Sequence, residues 1–435
     1  MDHVLGLTCT ICGETYDVDE TNYVCPKHGD EGILDVVYDY DVIAEQTDPE
    51  TIETDPRRSI WRYTPLLPVM PETAEAVTQG TAVATVGRTP LYPAPRLAAE
   101  LDLEHLWVKD DSRQPTASLK DRASAVAVVK AHEAGYDVIT TASTGNAAAA
   151  LSGLCAAIDQ PNVIFVPRSA PEAKIAQLLA YGSTVLLVDG TYDQAFELCL
   201  EVARTFDWYN RNTAYNPYMS EGKKTVVYEI CEALGSQYGG PGGSPWQAPD
   251  VIFVPVGDGC IIGGVHKGLR DLLALGWIDQ MPRIFGVQAE GSDPLVKAWE
   301  EGLDPLEMEP VDAHSVADSI VAGLPRDRIK ALRAVRESGG AYLRVDDEEI
   351  LAAIPTLAQG CGVFAEPAAA AAYAGLVKAL DRDMVDGDER VVVLSTGSGL
   401  KDVASVMEAV EEHPPVVEPT LADVRHALKR SGTTG

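Results

Sequence analysis

The stretch DVIFVPVGDGCIIGG, residues 250–264, reads as an unbroken apolar strand, a glycine-rich turn and the opening of a helix. A strand with one wet face alternates apolar and polar residues; this one does not, so both of its faces should be covered. The same signature recurs along the chain. Candidate strands are LWVKD (106–110), VITTAS (138–143), NVIFVP (162–167), STVLLVDG (183–190), IFGVQAE (284–290) and RVVVLSTG (390–397). Helix-like segments lie between most of them, for example PEAKIAQLLAYG (171–182), with Pro near the start and Gly at the end. Apolar strands separated by helices give an α/β fold with parallel sheets covered by helices on both faces.

Composition narrows the function classes. At 435 residues the chain suits two or three domains, and 46% apolar residues can fill their cores. The net charge of −32 is spread along the chain and repels nucleic acid and anionic membranes, so neither is expected as a partner. Such a charge suits solvation in a high-salt cytoplasm, where counterions screen the self-repulsion. No window approaches the roughly 18 apolar residues of a spanning helix, and MDHVLGLTCT has no basic region followed by an apolar run, so a cytoplasmic location is expected. Five of the eight cysteines sit in apolar contexts such as SGLCAAI and read as buried thiols of a reducing compartment.

The other three cysteines open the chain, in LTCTICGETYDVDETNYVCPKHG. Cys9, Cys12, Cys25 and His28 form two pairs with Cys-x2-Cys and Cys-x2-His spacing, four ligands suited to tetrahedral Zn2+. Four protein ligands leave no open position, so the expected zinc is structural; the alternative is a metal-free remnant whose side chains only pack. Residues 41–80, rich in Thr, Pro and Glu without periodicity, read as an extended linker, GGPGGSPWQAP (239–249) as a flexible surface insertion, and the tail from 413 to 435 as peripheral.

In open α/β sheets ligands gather at the carboxyl ends of strands, which singles out four loops. PTASLKDRAS (115–124) sets Lys120 at the start of a helix read over Arg122–Gly135, with Ser and Thr able to cap. The positive helix end there favours a neutral, nucleophilic amine. STGNAAAA (143–150) follows a strand and opens an alanine-rich helix, presenting N–H groups and hydroxyls to an anion. PVGDGCIIGG (255–264) lets Gly257 and Gly259 bring backbone up to a phosphate, although it is neither a nucleoside-triphosphate loop nor a dinucleotide fingerprint. STGSGLKD (395–402) places hydroxyls of Ser395 and Thr396 where a heterocyclic nitrogen could bond. Taken singly, each loop could also be an ordinary cap or turn.

Together and in this order, with GRTPLYPAPRL (87–97), NPYMSEGKKT (216–225) and VFAEPAAAAAYAGL (363–376), these stretches resemble pyridoxal-phosphate enzymes of the tryptophan-synthase-like fold (fold type II), the threonine synthases most closely. The resemblance covers most of residues 85–405, and the N-terminal segment continuing into DVVYDYD is similar to the start of many threonine synthases. It implies two open parallel-sheet domains: a larger cofactor-binding one from 81–124 and 221–412, and a smaller one from 125–220, after a zinc-ribbon-like segment over 1–40. It implies pyridoxal 5'-phosphate as cofactor, a small amino-acid substrate and a homodimer. Lys120 becomes the Schiff-base lysine and Asn146 the contact to the ring hydroxyl. Gly257, Asp258, Gly259, Cys260, Ile261 and Ile262 become the phosphate cradle, and Thr396 the partner of the pyridine nitrogen. Ser143 and Thr144 are the candidates for the substrate carboxylate.

The chain departs from the pattern at four positions. Leu119 replaces a usual Phe, Ala147 a usual Thr, Met219 a common Arg, and Ser398 a frequent His. The implied reaction is conversion of O-phosphohomoserine and water to threonine and phosphate. The hydroxyl absent at 147 and the guanidinium absent at 219 speak for the alternative, β-elimination or β-replacement on serine, threonine or O-phosphoserine. A non-catalytic binder on this scaffold would not need the Lys120 amine.

Overall fold

A computed structural model describes residues 1–21, 23–238, 245–410 and 414–430. The chain begins with a three-stranded antiparallel sheet of β1 (Val4–Cys9), β2 (Thr15–Tyr16) and β3 (Leu34–Tyr38), in the order β2-β1-β3. Leu7, Leu34 and Val36 turn inward and join the main core. Polar ties reinforce that seat: Tyr38 Oη donates to Glu221, Tyr40 Oη to Asp271 at 2.7 Å, and Lys330 Nζ to the Leu34 carbonyl at 3.0 Å. On the other side, Tyr23 Oη accepts from the Asn210 amide, and Arg204 pairs with Asp30.

The expected extended linker over 41–80 is instead helical and packed. Short helices run over Tyr40–Gln46, Pro49–Thr54 and Pro71–Thr78, with a 3-10 segment at Ile60–Leu66. Ile60, Trp61, Leu67 and Val69 are buried. Pro49 and Pro71, which read as breakers, sit in the first turns of two of these helices, where the missing N–H costs nothing, and Asp39 and Asp48 cap the first two.

Two sheets follow. β4 (Leu91–Pro93) and β5 (His105–Asp110) begin the larger one. A separate four-stranded parallel sheet then forms from β6 (Ile139–Ala142), β7 (Asn162–Pro167), β8 (Thr184–Val188) and β9 (Tyr209–Asn210), in the order β8-β7-β6-β9. The chain returns with β10 (Val251–Pro255), β11 (Arg283–Ala289), β12 (Tyr342–Val345) and β13 (Arg390–Ser395), completing the six-stranded order β12-β11-β10-β13-β5-β4. All pairs in it are parallel except β4 on β5, an antiparallel edge strand that ends at Pro93. Val251 to Val254 of β10 are wholly buried, each side chain contributing roughly 1.5–3 kcal/mol. β8, by contrast, is an edge strand with Leu186 and Leu187 exposed, so its apolar run is not covered on both faces as the sequence suggested.

The helix Lys120–Glu133 carries the chain from the larger sheet to the smaller, and the helix Tyr218–Tyr238 carries it back. They pack so closely that a Cβ on Gly222 would lie 2.1 Å from the Arg122 carbonyl oxygen. Within the expected surface insertion, Trp246 is fully buried, its indole N–H donating to Glu53 at 3.0 Å, which corrects that reading; residues 239–244 lie outside the described residues. Of the tail, 414–430 are described and end in the helix Leu421–Arg430, whereas 413 and 431–435 lie outside the described residues. Among the described residues no helix is long and apolar enough to cross a membrane.

Candidate active site

Each of the four singled-out loops leaves the carboxyl end of a parallel strand: 115–124 after β5, 143–146 after β6, 256–260 after β10 and 396–402 after β13. The first and last are hydrogen-bonded to each other. The Leu119 amide donates to the Thr396 carbonyl at 2.9 Å, and the Ser398 amide to the Ala117 carbonyl at 3.1 Å. Ala117 adopts a φ of 64°, a left-handed conformation that costs a non-glycine residue about 1–2 kcal/mol and that this pairing maintains.

Lys120 is the first residue of its helix, two positions ahead of the reading from sequence. The expected Ser or Thr cap does not form. The Asp121 carboxylate instead reaches back from the first turn to the preceding loop, accepting from the Thr116 amide at 2.7 Å and from the Thr116 hydroxyl, which ties the loop to the helix without capping it. One residue further on, Arg122 is wholly buried between Asp111 (Nε to Oδ2, 2.6 Å) and Glu229 (Nη1 to Oε1, 2.6 Å; Nη2 to Oε2, 2.8 Å). Lys109 Nζ adds a 2.6 Å contact to Glu229. This cluster fixes the helix end that presents Lys120. Burial, reinforced by the cations of Lys223 and Arg211 and opposed by Glu366, lowers the Lys120 amine to about 8.

Ser143 and Thr144 lead into the helix Asn146–Ala156, and the Ser143 hydroxyl accepts from the Gly145 amide at 3.3 Å. Asn146 Nδ2 donates to Glu366 Oε1 at 2.7 Å, and the Glu366 amide donates to the Gly397 carbonyl at 3.0 Å, which draws the second loop toward the fourth. Burial raises the Glu366 carboxyl, against the pull of Asn146 and Lys120. Thr144, Asn146, Glu366, Thr116 and Lys401 line a cleft of about 310 Å³. The sequence reading missed Glu366; its only signal was a carboxylate immediately before the proline that opens an apolar helix.

The third loop approaches from the side of the larger sheet. A Cβ on Gly257 would meet Ile320 Cα at 2.8 Å, and Gly259, at φ 91°, sits against Ala331 and the Asp327 carbonyl. Only glycine fits these two positions, and the turn delivers Cys260 as the first residue of the helix Cys260–Ala274. Asp258 turns away, its carboxylate toward the Arg326 amide and its carbonyl accepting from the Asp327 amide. Gly257, Asp258, Gly259, Cys260 and Ile261 do not line the 310 Å³ cleft; Cys260 is linked to Lys120 only as a neighbour in its electrostatic field. Met219, where the resemblance suggested an arginine, is fully buried in an apolar core cluster with Trp61 and Val126.

Cys9, Cys12, Cys25 and His28 meet in a separate place, their ligand atoms within 4.8 Å of one another. Gly13 and Gly29 have positive φ in the two turns that bring them there. A larger cleft of about 500 Å³ lies between this knuckle and Lys267, Arg270 and Arg333, away from the four loops.

Several buried polar atoms around Lys120 lack any hydrogen-bond partner: Ser118 Oγ, Ser395 Oγ, Lys223 Nζ and Arg211 Nη2. Orphaned buried donors are costly, and a cluster of them beside a neutral-leaning lysine and a glycine-lined helix N-terminus fits an anionic heterocyclic cofactor. The family described as pyridoxal-phosphate dependent enzyme matches residues 83–397. The chain belongs to that family. Within it, the chain is 40% identical to the threonine synthase of Methanosarcina acetivorans over 423 residues, covering 97% of this chain and 98% of that one. It is 36% identical to the threonine synthase of Methanocaldococcus jannaschii over 424 residues, again covering 97% and 98%. Among solved structures it resembles diaminopropionate ammonia lyase from Escherichia coli, with a TM-score of 0.64 at 18% identity, over 82% of this chain and 94% of that one. Threonine deaminase isoform 2 of Solanum lycopersicum gives 0.60 at 19% identity, over 83% and 89%. At such identities these structures bear on the fold alone.

Proposed function

We propose that this chain converts O-phosphohomoserine and water to threonine and phosphate with pyridoxal phosphate as cofactor. The observation that carries the reading is identity of 36–40% to threonine synthases over 97% of the chain, spanning all four loops that surround Lys120. Bound here, the cofactor would supply an electron sink for negative charge developing on the substrate carbon.

The rest of the chemistry falls to the chain's own residues. Lys120 would hold the cofactor covalently, and its Nζ, an amine lowered to about 8, is suited to take the substrate's α-proton. Asn146, oriented by Glu366, would hold the ring hydroxyl, and Thr396 would face the ring nitrogen with a neutral hydroxyl. Ser143 and Thr144 hold the substrate carboxylate at the start of the Asn146–Ala156 helix. The backbone from Gly257 to Ile262 would cradle the cofactor phosphate.

Cys9, Cys12, Cys25 and His28 form a structural zinc site in this reading, supported by ligand atoms within 4.8 Å of one another. The net charge of −32 suits a salt-rich cytoplasm. None of the cysteines is in a disulfide, which accords with a reducing compartment.

The test is to supply O-phosphohomoserine, O-phosphoserine or threonine to the cofactor-loaded protein in high salt and quantify threonine, phosphate and keto acid. Equal amounts of threonine and phosphate from O-phosphohomoserine are expected. Silence with that substrate and turnover of O-phosphoserine or threonine would replace the reading by a β-elimination or β-replacement activity.

A further inference from the structure

Adjacent lysines on the helix Tyr218–Tyr238 have opposite fates. Lys224 is committed to structure: its Nζ lies 2.8 Å from Glu221 and 2.8 Å from Asp271, and 4.0 Å from the Tyr38 ring centroid. Lys223 is equally buried, with no exposed surface, yet its Nζ has no hydrogen-bond partner and forms no ion pair among the described residues. Arg211, at the carboxyl end of β9, is also wholly buried. Its Nε donates to Ser124 at 3.1 Å and its Nη1 to Thr213 at 2.8 Å, while Nη2 has no partner. Asp327 and Asp258 lie in the field of Lys223, and Asp121 in that of Arg211, but none of them pairs with Lys223 Nζ or Arg211 Nη2, and two buried cationic groups left without a hydrogen-bond partner in one region point to an anion that the folded chain is built to receive.

Backbone packing says where that anion sits. Gly222 abuts Arg122 and Ala123, just past Lys120, and a Cβ on Gly264 would lie 2.9 Å from Lys223 Cβ. The stem of Lys223 is therefore wedged between the helix that begins at Lys120 and the one that begins at Cys260. Ser124, which holds Arg211, lies one turn along from Lys120. Lys223 and Arg211 both act electrostatically on Lys120 and both feel Cys260, so they flank the same helix N-terminus from the larger and the smaller sheet respectively.

We propose that Lys223 and Arg211 form a two-cation subsite for a phosphate monoester dianion at the N-terminus of the Cys260–Ala274 helix, adding side-chain charge to the backbone cradle. The inference rests on the site being the pyridoxal-phosphate site. Two phosphates occur in the reaction, the cofactor's and the substrate's, and they can be told apart.

The full-length chain freed of cofactor is compared with its Lys223→Met and Arg211→Met variants. One arm titrates pyridoxal phosphate and pyridoxal by absorbance. The other measures KM for O-phosphohomoserine at saturating cofactor. If the subsite takes the cofactor's phosphate, each variant weakens pyridoxal phosphate at least tenfold and leaves pyridoxal unchanged. If it takes the substrate's, cofactor binding is unchanged and KM rises at least tenfold. Wild-type values for both phosphorylated ligands would overturn the proposal. Equal weakening of pyridoxal phosphate and pyridoxal, together with a lower melting temperature of the cofactor-free variant, would also overturn it by revealing a structural role. Removing a buried charge that has no ion pair should instead leave that melting temperature unchanged or higher. A wild-type protein that makes no threonine while the variants still lose their preference for pyridoxal phosphate over pyridoxal would refute the proposed function and leave the subsite standing.

Discussion

Replacing Glu229 by Gln tests the claim that a buried charge cluster holds the Lys120 helix in place. The carboxylate accepts from Arg122, from Lys109 Nζ at 2.6 Å, and from the amides of Arg88 at 2.7 Å and Thr89 at 3.2 Å. Gln keeps the shape and one acceptor but removes the charge. Arg122 retains Asp111, at 2.6 and 2.9 Å, whereas Lys109, 1% exposed, is left with only the Thr89 carbonyl at 2.7 Å. Breaking a buried pair on one side costs about 3–5 kcal/mol. The loss has a ceiling, because Lys109 can shed its proton: holding a lysine neutral at pH 7 costs about 4.6 kcal/mol from a reference near 10.4. At roughly 0.9 kcal/mol/K of unfolding entropy for a chain of this length, a loss of about 4 kcal/mol lowers the melting temperature by about 4 °C. The sign with pH follows from the same lysine. In the variant the unfolded state binds a proton that the folded state does not, so the deficit is present below about 10.4 and disappears above it. In the wild type Glu229 is held down to about 2, chiefly by Arg122 and Lys109 overcoming burial. Its stabilisation is complete above the ordinary value near 4.3 and is lost as pH falls through about 2. Thermal unfolding followed by circular dichroism is the assay, with Lys109→Met/Glu229→Gln as the rescue. A single variant within 1 °C of wild type, or a double variant no more stable than the single, would refute the account.

Two further outcomes are expected. Covalent capture of pyridoxal phosphate, followed by the absorbance of the lysine-linked cofactor, should rise with a midpoint near pH 8, where the Lys120 amine loses its proton, and Lys223→Met should move that midpoint upward; a wild-type midpoint above about 9.5 would contradict the local field described for Lys120. Purified protein should hold one zinc per chain by elemental analysis, Cys25→Ser should lose it and melt at a lower temperature, and a metal-free native protein of unchanged stability would remove the structural role from the knuckle.

Much of the fold was legible because its strands are short apolar runs that end in glycine, serine or threonine turns. NVIFVP coincides with β7, and the ends of the other six strands read from the sequence fall within two residues of those observed. β4, β9 and β12 were missed because they are only two to four residues long and lie at sheet edges, where few residues carry the pattern. The helices of 40–78 were hidden by composition: Pro and Thr in first turns look like breakers until the caps are seen. At the site, local order brought Lys120, Asn146 and Thr396 to attention, but partnerships across the chain could not be read. Asn146 finds Glu366 across 220 positions, and the contrast between Lys223 and Lys224 depends on Asp271, 47 positions on, which pairs with Lys224 and not with its neighbour. A cap expected from Ser or Thr did not form: the Thr116 hydroxyl is spent donating to Asp121, and Ser118 Oγ has no partner.

The seating of the N-terminal sheet sets an order of events in folding. Its partners are remote in sequence: Tyr38 and Glu221 are 183 positions apart, Tyr40 and Asp271 231, and Leu34 and Lys330 296. A segment made well before its partners is therefore among the last to find its place. At a synthesis rate of about 5–20 residues/s, some 300 residues correspond to roughly 15–60 s during which these short strands have no core to lie on. The four zinc-binding candidates span only residues 9–28, so a metal could close the knuckle within the first seconds and hold it in register until Lys330 arrives.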